Sequence, residues 1–257
     1  ESNIFDEEKL DNIIYKKDIC INLVGILYEN KKNTFENIHV NFPSLISKIC
    51  QKHKLKQFIH LSALGIEKAK DSNYAKSKLE GEKKIINNFP DSTILRPSVI
   101  FSVDDNFTTN IMTLLNLLPF FPLYYNGETK FSPMHVSDMS EIISNIIDRN
   151  ISSETIECVG PEIMTFKEIL EKLLILMGKK KLLIPLPLKL AQIIAFFLEK
   201  IPKPLITRDQ LKLLKYNNTL SGEIKSNLDL GIEPRLRFSD EVKKYSYMWK
   251  EGGENSK

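Results

Sequence analysis

The chain has 257 residues, of which 42% are hydrophobic and 27% charged, and its formal net charge at pH 7 is +3. This composition is typical of a globular protein, and the near balance of 36 basic and 33 acidic residues argues against a nucleic-acid-binding protein. The three cysteines and four histidines lack the spacing of zinc ligands, so we predict reduced thiols, as in a cytosolic compartment, and no metal site.

Short apolar runs alternate with helical patterns in the first half of the chain. The predicted elements are a strand at 19–27, a helix at 33–54, a strand at 58–62, a helix at 73–88 and a strand at 93–101. Pro97 marks either the end of this last strand or a bulge in it. Strands that alternate with helices of this length form a parallel sheet through right-handed crossovers. The predicted fold class is therefore α/β, a Rossmann-like doubly wound parallel sheet.

The second half of the chain indicates a smaller, mostly helical α+β lobe. A helix is predicted at 106–118, and Asp138 is expected to cap a later one. Thr165 and Glu168 have the spacing of a capping box. We predict a partial nucleotide-binding domain at 1–150, a substrate or docking lobe at 151–250 and a disordered tail at 251–257.

The sequence contains neither G-x-G-x-x-G nor G-x-x-G-x-x-G, the loops that bring helix amides to a pyrophosphate. A doubly wound sheet that began at 19–27 would lack its central first strand and expose an apolar edge. We therefore expect a chain that is incomplete at its N-terminus. The alternative is a complete protein that dispenses with the loop.

Four features fall at the carboxyl ends of successive predicted strands or on the helix between them. Gly25 follows the first strand, Ser62 ends the second, Tyr74 and Lys78 lie one helical turn apart, and Arg96 begins an R-P-S sequence in the third. Each has a structural alternative, since a Tyr-Lys pair is common on solvated helices, Ser62 could cap a strand and Gly25 could serve packing. The order of all four favours a cofactor site.

These residue types suit a reductase. A nearby ammonium lowers the pKa of a tyrosine, which is otherwise about 10. The same lysine can bind a ribose hydroxyl, a serine can polarise a carbonyl, and the cofactor supplies the hydride. The rest of the helix surface, Glu80, Glu82, Lys83 and Lys84, is predicted to be solvated.

The segments NLVG, HLSALG, YAKSK, ILRPSVIF and HVSDM resemble the short-chain dehydrogenase/reductase superfamily, near its NAD-dependent epimerase/dehydratase group. Together with GETKFSPMHVSD, VGPEIMTFKEIL and PLITRDQLKLL, they more narrowly resemble the bacterial form of the alpha-subcomplex subunit nine family of respiratory complex I, NADH:ubiquinone oxidoreductase. The resemblance covers roughly Asp18 to Trp249, and Leu205–Gln210 is its most specific part.

The resemblance implies a nucleotide-binding accessory subunit, cytoplasmic and peripheral to the inner membrane, that contacts other complex I subunits and holds NADP (NADPH) or NAD mainly as a structural group. The alternative is an active oxidoreductase or epimerase, linked to ubiquinone metabolism. Ser62, Tyr74 and Lys78 match the superfamily's catalytic positions. The implied cofactor-binding residues are Leu23, Val24, Gly25, Ser62, Tyr74, Lys78, Pro97, Ser98 and Val99.

The most apolar segment is 182–205, which contains a predicted helix at Leu188–Leu198. It suits either a core helix of the second lobe or a surface that docks on a membrane-embedded partner or interface. Lys179–Lys181 precede it, and such a cluster suits an anionic membrane as well as a helix C-terminus.

Overall fold

The computed structural model describes residues 4–255 and contains both strands and helices. The strands are β1 (Ile19–Asn22), β2 (Gln57–Leu61), β3 (Thr93–Pro97), β4 (Ile100–Phe101), β5 (Phe120–Leu123), β6 (Lys130–Phe131), β7 (Met134–His135), β8 (Thr155–Cys158), β9 (Met164–Thr165) and β10 (Leu182–Pro185). The α-helices are α1 (Glu7–Ile14), α2 (Phe42–Lys52), α3 (Asn73–Asn88), α4 (Thr108–Leu117), α5 (Val136–Asp148), α6 (Phe166–Met177), α7 (Leu188–Leu198), α8 (Arg208–Leu213) and α9 (Phe238–Lys243).

A parallel four-stranded sheet in the order β1-β2-β3-β8 is central to the fold. Successive side chains of a strand point to opposite faces, and the apolar residues follow this alternation. Phe58 and Ile94 pack with α2 and α3 on one face, while Ile59 and Leu95 pack with α5 on the other. The sheet is thus covered on both sides, which confirms the predicted doubly wound α/β class.

The predicted helix 73–88 is confirmed at both ends, whereas the helix predicted at 33–54 begins as a π-helix, Glu36–Asn41, before α2. The cause is Pro43, which has no N–H to donate to the carbonyl of His39. The strand predicted at 19–27 ends at Asn22, and the third predicted strand divides after Pro97 into β3 and β4.

The expected cap of α5 is wrong. His135 is the N-cap, and its Nδ1 accepts the N–H of Ser137 at 3.3 Å. Asp138 already lies in the first turn, and its carboxylate accepts the backbone N–H groups of Arg235 and Leu236. The capping box of α6 is present as predicted, with Thr165 and Glu168 as its two partners.

A second apolar core joins the later helices. Buried side chains of β4, α4, α6, α9 and the 3-10 helix Ser246–Trp249 meet in it, among them Phe101, Met112, Leu170, Phe238 and Trp249. Strand β8 lies after residue 150 but belongs to the main sheet. The domain division at residue 150 stays a prediction.

Two peripheral features complete the fold. Strand β1 is an edge of the main sheet within residues 4–255, and Ile21 on it is exposed. At the other end of the chain, the N–H of Asn255 donates to the carbonyl of Met248. Residues 256 and 257 of the predicted tail lie outside the described residues, so its disorder stays a prediction. Within 4–255, no helix is long and apolar enough to span a membrane.

Candidate functional site

Lys78 meets the carboxyl ends of β1 and β2. Its side chain is buried, and its Nζ donates to the carbonyl oxygen of Leu61 at 2.9 Å, directly before Ser62. A side chain at position 25 would place its first carbon 3.6 Å from the same Nζ. The structure therefore brings Gly25, the start of HLSALG and Lys78 together, as the order of the motifs predicted.

His39 connects the loop after β1 to helix α3. Its Nε2 accepts the N–H of Ile26 at 3.1 Å, so the ring hydrogen of the neutral imidazole is on Nδ1, which lies 2.9 Å from Ser77 Oγ. Ser77 Oγ in turn donates to the carbonyl of Tyr74. Burial, and then the charge of Lys78, lower the pKa of His39 to about 3. His39 thus stays neutral and fixes the loop. Its role in the site is not predicted from the sequence.

Tyr74 packs beside His39, with an edge-to-face contact of 5.3 Å between ring centroids and a second contact with Phe35 at 5.8 Å. Burial raises the pKa of Tyr74 to about 12. The expectation that Lys78 would lower the pKa of Tyr74 is therefore wrong, because desolvation dominates. At neutral pH the side chain is a phenol that can donate a proton.

The pKa of Lys78 is lowered, whereas that of Tyr74 is raised. Burial lowers the pKa of Lys78 to about 8, and the carboxylate of Glu82, one turn further along α3, opposes that shift. The prediction that Glu82 belongs to a solvated face is wrong. Glu82 is buried and accepts two hydrogen bonds from Arg96 of β3, from Nε at 3.0 Å and from an Nη at 2.6 Å. The half-buried Arg96 guanidinium explains why this carboxylate faces inward.

Two buried polar atoms at the end of β2 have no hydrogen-bond partner. One is Ser62 Oγ, and the other is His60 Nε2. His60 Nδ1 lies 2.9 Å from the Asn22 side-chain nitrogen and accepts from it, so Nε2 carries the ring hydrogen. Burial holds the pKa of His60 well below its usual value. Because buried polar groups are normally satisfied, these atoms fit a polar ligand group at this edge.

Asn218, which the sequence does not predict as a site residue, holds the R-P-S segment in place. Asn218 Oδ1 accepts from Ser98 Oγ at 2.6 Å and from the N–H of Val99 at 3.2 Å, and its Nδ2 donates to the carbonyl of Leu64 at 2.7 Å. Ser98 is buried by this contact, and Pro97 ends β3 beside it. Nothing in the local sequence distinguishes Asn218 from an ordinary turn asparagine.

The remaining predicted residues, Leu23 and Val24, lie in the loop between β1 and Gly25. Their side chains are exposed, and the N–H of Val24 donates to Asn22 Oδ1. The assignment of all these side chains as catalytic or cofactor-binding stays a prediction. No group of three or more His, Cys, Asp or Glu residues that could hold a metal occurs within the described part of the chain.

Comparison with curated proteins finds subunits of one respiratory enzyme. The chain is 27% identical over 237 residues to the mitochondrial NADH-ubiquinone oxidoreductase 40 kDa subunit of Neurospora crassa, covering 91% of the chain and 62% of that protein. It is 26% identical over 232 residues to the mitochondrial NADH dehydrogenase [ubiquinone] 1 alpha subcomplex subunit 9 of Mus musculus, covering 89% of the chain and 61% of that protein. The chain thus spans less than two thirds of the length of these relatives.

Solved structures of similar fold include sugar-nucleotide enzymes. UDP-glucuronic acid 4-epimerase from Bacillus cereus, in complex with UDP-glucuronic acid and NAD, gives a TM-score of 0.67 at 18% identity over 95% of this chain and 80% of its own. The dTDP-glucose 4,6-dehydratase from Streptomyces venezuelae, with NAD bound, gives a TM-score of 0.68 at 15% identity. The match covers 97% of this chain and 78% of that enzyme's chain. No protein-family model matches the chain.

Proposed function

From the premise that the chain is a homologue of the complex I alpha subcomplex subunit 9 proteins, with the fold of NAD-dependent epimerases and dehydratases, we propose that it is an NAD(P)-binding accessory subunit of respiratory complex I. The sequence similarity over 91% of the chain carries this proposal, because the solved structures speak only to the fold. Other complex I subunits are its proposed partners.

The nucleotide, NADP or NAD, would lie at the edge where β1 and β2 end. Its nicotinamide and ribose would meet Ser62, Tyr74 and Lys78, with the loop of Leu23, Val24 and Gly25 beside them. Gly25 keeps a side chain away from the Lys78 ammonium, and the unpartnered Ser62 hydroxyl offers a hydrogen bond. These features support the nicotinamide end of the site, whereas the sequence contains no glycine-rich loop for the pyrophosphate.

We propose a mainly structural role for the nucleotide. The Tyr74 ring packs against Phe35 and His39, the neutral His39 ring fixes the loop, and Ser98 is bound to Asn218. These groups are engaged in holding the site together. A bound dinucleotide would add contacts between the loop after β1 and helix α3, and so would stabilise the folded chain by an amount that grows with the logarithm of its affinity.

An active oxidoreductase or epimerase is the second candidate. A nicotinamide cofactor supplies the hydride in such a reaction. The observation in its favour is that the Ser62 hydroxyl is free to donate to a substrate carbonyl, while the Tyr74 phenol can give that oxygen a proton. Lys78, whose pKa of about 8 lies close to neutrality, would favour the resulting phenolate.

The experiment that separates the candidates uses the tagged full-length protein. We expect it to co-purify with complex I and to release NADPH or NADH on denaturation, which chromatography of the released nucleotides detects. Tyr74→Phe is expected to leave the level of assembled complex I unchanged, as should the control Tyr247→Phe at an exposed position. Absence from complex I, or carbonyl reduction that Tyr74→Phe abolishes, would overturn the mainly structural role.

Helix α7 supports a peripheral position on the inner (cytoplasmic) membrane. The helix buries Ala191 and Ala195 against Leu211 of α8, so the core-helix alternative is wrong for its other apolar side chains. We call the exposed apolar side chains between residues 188 and 205 the α7 surface. They are Leu188, Leu190, Ile193, Ile194, Phe196, Phe197, Ile201 and Leu205.

Cations border the α7 surface. Lys200 Nζ lies 4.6 Å from the ring centroid of Phe196, and the guanidinium of Arg208 lies 5.1 Å from it. Apolar side chains flanked by basic groups suit the boundary between anionic headgroups and acyl chains. We therefore propose an anionic membrane surface as the occupant.

Vesicle flotation tests the proposed membrane contact. We expect the full-length protein to bind vesicles that contain phosphatidylglycerol more strongly than pure phosphatidylcholine, and Phe197→Asp to weaken that binding. The matched control is Ile175→Asp, which adds the same charge at an exposed position on α6. Equal loss in both variants, or binding to neither kind of vesicle, would reject this surface and leave contact with a protein subunit.

A further inference from the structure

The segment Leu205–Gln210, singled out by its sequence, places a carboxylate at the start of helix α3. Asp209 lies in the first turn of α8, where Thr207 and Gln210 form a capping box. The Asp209 carboxylate lies 3.8 Å from Lys212 Nζ on its own helix and also reaches the first amides of α3. Its Oδ1 accepts the N–H of Asn73 at 2.8 Å, and its Oδ2 accepts the N–H of Tyr74 at 3.0 Å.

The carboxylate completes the cap of α3. The first amides of a helix have no partner within it, and a negative charge there is favourable. Ser72, the N-cap residue, accepts only the N–H of Ala75, at 3.2 Å. Its hydroxyl hydrogen is directed to Asp209 Oδ2 at 2.7 Å, which orients the lone pair toward Ala75. Asp209 thus satisfies two amides directly and helps Ser72 to satisfy the third.

Asp209 has anchors besides α3, while Leu213 of the same helix packs in the apolar cluster that includes Ala75 of α3. Its own helix is fixed on α7 through Leu211, which packs against Ala191 and Ala195. The N–H of Arg208 also donates to Glu199 at 2.6 Å. A carboxylate held by a packed helix therefore defines where α3 begins.

We propose that Asp209 is a positioning residue for the nucleotide site, a role that rests on the proposed function. It acts through the backbone of Tyr74, whose N–H it binds, and through the rigid turn that carries Lys78 to the carbonyl of Leu61. Without the carboxylate, the first turn of α3 frays. The Tyr74 ring and the Lys78 ammonium then lose their fixed position beside Gly25.

The test compares Asp209→Ala, Asp209→Asn and the control Asp240→Ala in the full-length protein. Asp240 is an exposed acid in the first turn of α9. We expect Asp209→Ala to speed hydrogen exchange of the amides at 73–75 and to weaken NADPH binding on the order of tenfold, the factor that a lost helix cap produces. Asp209→Asn keeps one acceptor oxygen, so we expect its exchange rates and its NADPH affinity to lie between those of the wild type and Asp209→Ala. Asp240→Ala should match the wild type in both measurements.

A double-mutant cycle with Tyr74→Phe separates positioning from general stability. If Asp209 acts through Tyr74, the two losses of NADPH affinity are less than additive, while a general loss of stability gives additive effects. Additive losses, or unchanged exchange at 73–75, would overturn the role of Asp209. Should Asp209→Ala fail to fold, Asp209→Asn carries the same comparisons.

The two proposals fail in different ways. If the wild-type protein binds neither NADPH nor NADH, the proposed function fails, and hydrogen exchange still decides whether Asp209 orders α3. If the wild type binds nucleotide and Asp209→Ala binds it equally well, the positioning role fails alone.

Discussion

Replacing Gly81 with alanine tests how closely helix α3 approaches the π-helical segment. Gly81 lies in the middle of α3, where a solvated helix would gain about 1 kcal/mol from alanine. In this structure the new methyl carbon would lie 1.9 Å from the backbone oxygen of His39. That oxygen belongs to the turn in which Pro43 supplies no N–H.

The magnitude follows from this contact. Carbon and carbonyl oxygen approach to about 3.3 Å at closest, so the two backbones must separate by roughly 1.4 Å. Overpacking of this kind costs about 1–3 kcal/mol and can cost more. Because the obstacle is a backbone oxygen, no side-chain rotation relieves it. Because this obstacle cannot move, the cost lies at the upper end of that range, and subtracting the gain of about 1 kcal/mol in helix propensity leaves an expected net destabilisation of about 2 kcal/mol.

Thermal unfolding followed by circular dichroism measures the effect. For a protein of this size, each kcal/mol shifts Tm by about 2–4 °C. The control is Lys83→Ala, on the exposed side of the same helix, which should change the free energy of unfolding by less than about 0.5 kcal/mol. A Gly81→Ala variant as stable as the wild type, or more stable, would refute the close approach of α3 to His39.

Two further predictions concern the buried charges of α3. Glu82→Gln should lower the free energy of unfolding in urea by about 1.5–3 kcal/mol, because the Arg96 guanidinium loses the nearer of its two carboxylate partners and keeps only Glu67 at 3.6 Å, whereas Glu80→Gln, in an exposed pair with Lys84, should cost less than about 0.5 kcal/mol. Equal losses of stability in Glu82→Gln and Glu80→Gln would contradict a stabilising ion pair between Glu82 and Arg96. Stability should also depend on Lys78, whose pKa falls from 10.5 to about 8 on folding. Between these values the unfolded state holds more protons, so stability rises with pH, and Lys78→Met should remove that rise in unfolding measured from pH 7 to 10.5.

Much of the fold could be predicted from local pattern. The sequence at 73–88, rich in Lys and Glu, predicts helix α3, and Pro97 predicts the end of the third strand or a bulge in it. The juxtaposition of Gly25 with Lys78 followed from the rule that parallel strands present their carboxyl ends at one edge.

What could not be predicted depends on distant partners. Glu82 has the sequence surroundings of a solvated residue, and only the position of Arg96 on the neighbouring strand explains its burial. Asn218 and Asp209 reach the site from more than 100 residues away in the chain. The pKa of Tyr74 rises because the side chain is desolvated, and burial is a property of the assembled fold.

The burial of Lys78 and Glu82 has a practical consequence for experiments at different ionic strengths. Counter-ions screen exposed charges over about 8 Å at physiological salt and 3 Å at 1 M, but they do not enter a packed interior. Lys200 and Arg208 beside the α7 surface are exposed and lie within reach of dissolved ions. A salt series should therefore weaken membrane attachment while leaving the geometry around Lys78 unchanged, so that the two surfaces of this protein can be studied separately in one sample.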